Sequence, residues 1–227
     1  MQFIQATEQE VTQYARTLFA DNIDKWKSFE EVTDFIVNQI YKDFVNESDQ
    51  KIFELVRIFR MVQSDNLPPE GLEDVPESPE WLALVATAGR EDAWNSRLTS
   101  AGHRLLPSAA FTTPMLKAAF EQIGLNQEHT TEDFMKSAGL MANFFHVEHA
   151  PDSPYIVAQD EFVKPYGIKS VVGIGSPFIG GSMYMLLGFA STKLDKEIAE
   201  KFSNLALFIG TLLSNYEESE RPIWKSA

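Results

Sequence analysis

His146-Val147-Glu148-His149 holds the sequence's one close pair of histidines. On a helix, residues three apart share a face, and two imidazoles so placed can grip a divalent metal. Pro151 argues that any helix is ending there, and no third ligand follows, so the spacing predicts no structural zinc. One of these rings could still ligate a haem iron, which needs a flat apolar slot. Phe144, Phe145, Tyr155, Phe162 and Tyr166 surround the pair in sequence. Such a group suits the wall of a small-molecule pocket, with the tyrosine hydroxyls as polar tips. The competing reading is plain core, where phenylalanine is common. Asp160, Glu161 and the two histidines are the acid–base candidates of this neighbourhood. Catalysis by them would need a perturbed member with a partner in reach.

Arg57 and Arg60 interrupt an otherwise apolar run. Three apart in a strand, they point to opposite faces, so at most one faces a pocket. An arginine there would suit a carboxylate or phosphate, but a solvent-facing pairing with the acidic surface is the favoured expectation. Gly173-Ile174-Gly175 lacks the third glycine of a dinucleotide fingerprint, Phe178 standing in its place, and the residues after it predict a strand and turn rather than a helix. Close packing or a bulge is the expected role of these glycines. No nucleophile elbow, Walker loop or zincin motif is present. There is no cysteine, which excludes disulfides, thiolate metal sites and cysteine nucleophiles. Acidic residues number 33 against 19 basic ones, a net charge of −14 that opposes nucleic acid and anionic membranes as partners.

The elements that must hold these residues can be read in order. Thr7, Glu8 and Glu10 suit a helix start, with Val11, Tyr14, Ala15 and Leu18 on one face. Ser28 and Glu31 form a capping box for a second amphipathic helix. Residues 51–63 read as the first strand and 81–88 as the second, separated by a proline-rich acidic loop over 64–80. A short helix is expected within 90–103, another over 113–123 and another over 132–145. The apolar run 168–190 is long enough to raise a membrane span, but Lys169, Pro177 and Gly180-Gly181 interrupt it. Gly-Gly between β-rich runs predicts a hairpin of 168–179 with 182–191. A long helix follows, carrying Ile198, Phe202, Leu205, Ile209, Leu212 and Tyr216 at near-heptad spacing. The first residues show no signal peptide.

The hairpin and long helix, with the block Pro165-Tyr166-Gly167-Ile168-Lys169-Ser170-Val171-Val172-Gly173-Ile174-Gly175, resemble the C-terminal half of a GAF domain, the PAS-related sensory fold. The block is similar to GAF-like input domains found before bacterial histidine kinases and phosphatases. The resemblance extends over roughly 50–216. It implies an α+β fold: a central antiparallel sheet, helices on its back face, and a helical or loop lid over a ligand pocket. The chain then divides into N-terminal helices (1–48, the second packing on the sheet), a sensory domain (49–216) and a tail (217–227). The connection over about 90–165 would build specificity, and Phe145, His146, His149, Tyr155, Phe162, Tyr166 and Ser170 are the candidate pocket residues.

The function so implied is small-molecule sensing in the bacterial cytoplasm, not catalysis, with the signal leaving through the terminal helices. The effector would be a separate kinase or other protein. The missing cysteine excludes a thioether-linked bilin and the cysteine-dependent methionine sulfoxide reductases of this fold. Cyclic-nucleotide-binding members carry Asn-Lys after the last hairpin strand, then Phe and Asp-Glu. Here Thr192-Lys193 and Leu194-Asp195-Lys196-Glu197 match only at the lysine, which argues against that ligand. The alternatives are a structural dimerisation module with a filled pocket, and an enzyme of another kind. Leu207, Phe208 and Leu213 widen the apolar face of the last helix. A homodimer paired through the terminal helices would cover it, and so would packing of those helices on each other within one chain.

Overall fold

The structure, a computed structural model, describes residues 1–19, 25–70, 76–100, 102–123, 144–178, 181–217 and 221–225. Its centre is β1 (Phe53–Gln63), whose residues are buried almost without a break from Phe53 to Val62. A strand reads as a continuous apolar run when both of its faces are covered. β1 pairs antiparallel with β2 (Glu80–Gly89) on one side and β6 (Met183–Ala190) on the other. β3 (Leu105–Pro107), β4 (Phe144–Val147) and β5 (Ser170–Pro177) complete a six-stranded sheet in the order β3-β2-β1-β6-β5-β4, with every pairing antiparallel. The expected hairpin is the β5–β6 pair. Gly173 sits directly opposite Leu187 in that pair, and a Cβ on it would come within 2.6 Å of the Leu187 side chain. Close packing is therefore what this glycine permits.

Helices cover the back face. α1 is Glu8–Phe19, α2 Phe29–Asp43, and the long C-terminal helix, α4, Lys196–Glu217. α2 lies on β1 and β2, α4 on β5 and β4, and α1 on α4. The capping box forms with a small variation. Ser28 Oγ accepts from the Glu31 amide at 3.1 Å, while the Glu31 carboxylate accepts from the Lys27 amide at 2.7 Å, one residue before the cap. Phe29, Ile36, Phe202, Leu205 and Ile209 meet Val56, Ile58 and Leu186 in the back core. The terminal helices cover each other within the chain: Val11 and Ala15 of α1 are fully buried, as is Leu213 of α4, and Phe208 is half-buried against the same core. Leu207 remains 71 % exposed.

The front face is covered by α3 (Pro114–Ile123) and by the β2–β3 and β4–β5 connections. Residues 90–103 hold only a 3-10 turn, Asp92–Asn95, among the described residues, rather than the short helix expected there. Of the helix expected over 132–145, residues 132–143 lie outside the described residues. Phe144 and Phe145 begin β4 instead. Their alternation sends Phe145 and Val147 into the front core and Phe144 to the back one.

The C-terminal residues dock on α2. The carbonyls of Pro222 and Ile223 accept from the Phe29 and Glu30 amides at 3.0 and 2.8 Å, satisfying donors that a helix start leaves open. Trp224 Nε1 donates to the Asn66 carbonyl at 2.9 Å, and the Lys225 amide donates to Glu30 Oε2 at 2.9 Å. No helix among the described residues is long and apolar enough to cross a membrane.

Candidate ligand pocket

A cavity of about 700 Å³ lies over the front face of the sheet. Leu55, Arg57 and Phe59 of β1 and Leu187 and Phe189 of β6 form its floor. Alternation along β1 puts these three residues on one face, with Val56 and Ile58 in the core behind. α3 supplies Met115 and Leu116, the β2–β3 connection Trp94 and His103, and the β4–β5 connection Tyr155, Phe162 and Tyr166.

The β4–β5 connection is fixed from within. Gln159 accepts from the Asp152 amide at 2.9 Å through its side-chain oxygen and donates to the carbonyls of Ala150 and Ile156 at 3.1 and 2.8 Å. A single π turn follows over Gln159–Val163, where the Val163 amide bonds the Ala158 carbonyl at 3.0 Å and the Lys164 amide that of Gln159 at 2.9 Å. Such one-turn π segments are frequent at functional sites. Gly167, at φ +62, lets the chain leave the turn in the left-handed region where a side chain would be strained. This geometry delivers Phe162 and Tyr166 to the cavity. Trp94 stacks obliquely on Tyr166 with ring centres 4.5 Å apart, and Phe162 meets Phe189 edge-on at 5.1 Å. Trp94 is itself held by the next residue, since Asn95 Oδ1 accepts from the Gly89 amide at 3.0 Å.

Of the candidates named from the sequence, Tyr155, Phe162 and Tyr166 line the cavity. The other candidates do not. Phe145 is fully buried in the front core, and its ring does not reach the cavity. His146 lies on a strand rather than a helix, and alternation turns it to the other side. Its Nε2 donates to the Leu194 carbonyl at 2.9 Å. Ser170 Oγ donates to the Glu148 carbonyl at 2.8 Å and accepts from the Leu194 amide at 2.9 Å. Both residues tie the start of α4 to the sheet. His149 is exposed beyond the end of β4. Asp160 is exposed and pairs with Lys164 at 2.6 Å, whereas Glu161 stands at the cavity mouth.

The favoured expectation for the arginines is overturned. Arg57 and Arg60 do point to opposite faces, but both are buried, at 7 and 8 % exposure. Arg60 lies 4.6 Å over the Phe29 ring and pairs with Glu217, beside a second cavity of about 420 Å³. Arg97, also buried, pairs with Glu30 at 2.8 Å and Glu70 at 3.1 Å. Arg57 has no carboxylate partner among the described residues. Its Nη2 donates to Ser100 Oγ at 2.7 Å, and its Nε has no partner among the described residues. Burial alone pulls its pKa down, to about 10. His103, at the cavity mouth, is held below its ordinary value by desolvation and then by the Arg57 charge, although the residue as a whole stays exposed. Sequence reasoning missed Trp94 and His103 as cavity residues, and it weighed Arg57 as one but favoured a solvent-facing place for it. The signal was a charge inside a strand with apolar residues on every side.

No protein-family model and no curated protein matches the sequence. Solved structures do match the fold. The chain is similar to the free methionine-R-sulfoxide reductase from Neisseria meningitidis in complex with its substrate, at 10 % identity and a TM-score of 0.53, over 95 % of this chain and 96 % of that one. It is similar to the GAF domain of a phosphoenolpyruvate-protein phosphotransferase from Acinetobacter, at 11 % identity and a TM-score of 0.51, over 94 % and 96 %. The corresponding GAF domain from Coxiella burnetii matches at 10 % identity and 0.51, over 93 % and 95 %. The fold is GAF-like: an antiparallel sheet with helices behind it and irregular connections in front.

Proposed function

We propose that this protein is a ligand-sensing module that takes a small molecule into the cavity over the front face of its sheet. The observation carrying this reading is the cavity itself. It has about 700 Å³ of space, within the range of small-molecule sites, and mixed apolar and polar walls built mainly from the connections that lid the sheet. A purely structural module would fill that volume with side chains. Binding is favoured over catalysis because the cavity's acid–base candidates, Glu161 and His103, have no hydrogen-bonded partner group among the described residues, and His103 is shifted only by burial and the Arg57 charge. The likeness to a sulfoxide reductase is one of fold, and this chain has no cysteine. Native mass spectrometry of protein purified from its own host tests the reading. A bound small molecule is the expected result, and Ala158→Trp, which adds an indole to the cavity wall, should abolish it. A ligand-free wild type whose melting temperature responds to no amphipathic compound would overturn it.

A further inference from the structure

The described residues include three buried arginines, and two of them have carboxylate partners. The third, Arg57, faces the cavity without one. Scarcity of acids does not explain this, since the chain carries 33 of them against 19 bases. A buried charge without a counter-charge is costly in general and persists where something else offsets it. A second unsatisfied polar atom stands beside it. Thr87 lies directly opposite Arg57 in the β1–β2 pair, hence on the same face, and its buried Oγ1 has no partner among the described residues. Buried polar atoms are nearly always paired, so two such atoms side by side on an apolar face mark a missing partner.

We infer that the ligand of this cavity is a monoanionic organic carboxylate, whose carboxylate binds Arg57 and whose apolar body lies against Trp94, Phe162 and Tyr166. This rests on the ligand-sensing reading above. The free Nε of Arg57 can donate to one carboxylate oxygen. Ser100 Oγ accepts from Arg57 Nη2 at 2.7 Å and so holds the guanidinium in place for that contact. Charge-assisted pairs of this kind give both strength and orientation. A dianionic phosphate fits less well. Arg57 is the one permanent cation lining the cavity among the described residues, and Glu161 sits at the mouth. The rest of the floor is apolar, which suits an alkyl or aryl chain.

The test compares acids with their neutral twins on the intact protein. Octanoate, phenylacetate and indoleacetate are titrated by calorimetry beside octanamide, phenylacetamide and indoleacetamide, with displacement of the neutral dye phenylnaphthylamine as a second readout. At least one acid should bind at least about tenfold tighter than its amide, as expected for a charge-assisted pair held out of water. That preference should vanish in Arg57→Met and survive in part in Arg57→Lys. If dye and amides enter the cavity as readily as the acids, the carboxylate inference fails and the ligand-sensing reading stands. If neither dye nor any of the six compounds binds, both fail. The acid–amide comparison in the wild type needs no variant, so a misfolded Arg57→Met leaves the result readable.

Discussion

Arg57 should destabilise the empty protein. Its guanidinium is desolvated with no carboxylate among the described residues to offset the cost, so Arg57→Met should stabilise the ligand-free chain, by about 1–4 kcal/mol if it follows the range for buried ion pairs replaced by packed apolar residues. Urea titration measures it. The pH dependence has a defined sign. A cation whose folded pKa is depressed binds its proton more readily when unfolded, so its penalty is fully present below the folded pKa and lifts as pH rises through it. The stability gap between Arg57→Met and the wild type should therefore narrow above a pH of about 10. A variant no more stable than the wild type at neutral pH would show that the charge is already matched. This is also the residue the sequence showed least well. Alternation placed Arg57 and Arg60 on opposite faces correctly, but it cannot tell a solvated face from a covered one. The lid over Arg57 comes from residues some 40 to 110 positions further along the chain. His146 and Ser170 failed for the same kind of reason. The parity of a strand, not the three-residue spacing of a helix, decides where their side chains go.

Among the elements, the four long strands, with their hairpin, and the long C-terminal helix were legible because each has a local pattern: β-rich runs bounded by turn residues, and an apolar stripe at helical spacing. The short β3 and β4, of three and four residues, carry no such pattern, and β4 stands where the sequence predicts the end of a helix. The π turn over Gln159–Val163 has no such pattern. It depends on Gln159 bonding three backbone groups at once, which only the folded loop brings together. Its exit through Gly167 makes it testable. Gly167→Ala forces a Cβ into the left-handed region at φ +62, where nothing lies within 4 Å to clash. The cost is then conformational, about 1 kcal/mol. We expect a small loss in chemical denaturation together with a weaker acid in the calorimetric titration, because Phe162 and Tyr166 ride on the turn. A stability loss with unchanged binding would separate the turn from the site.

For the whole molecule, α1 and α4 cover each other within one chain, one of the two arrangements that their apolar faces allow. Phe208, half-buried against the back core, and Leu207, 71 % exposed, should respond differently to a charge. Phe208→Glu should lower the melting temperature, and Leu207→Glu should leave it nearly unchanged. Sedimentation equilibrium at micromolar concentration should give the same mass for wild type and both variants. A wild-type dimer that Leu207→Glu dissociates would show that the helices also pair between copies. A last consequence concerns Arg97, which lies between Trp94 and Ser100 in one short segment. Trp94 lines the cavity and Ser100 holds Arg57 at its floor, whereas Arg97 reaches the other way, to Glu30 and over the Trp224 ring at 4.9 Å. One segment thus serves as a common hinge pin for the ligand and for the C-terminal residues clasped on α2. Coupling through such a shared part is reciprocal: a ligand that steadies the segment tightens the clasp, and an intact clasp tightens the ligand. Adding octanoate should slow hydrogen exchange at the Phe29 and Glu30 amides, which bond Pro222 and Ile223, and Trp224→Ala should weaken octanoate binding. Exchange that ignores the ligand would mean that the two ends of the segment move independently.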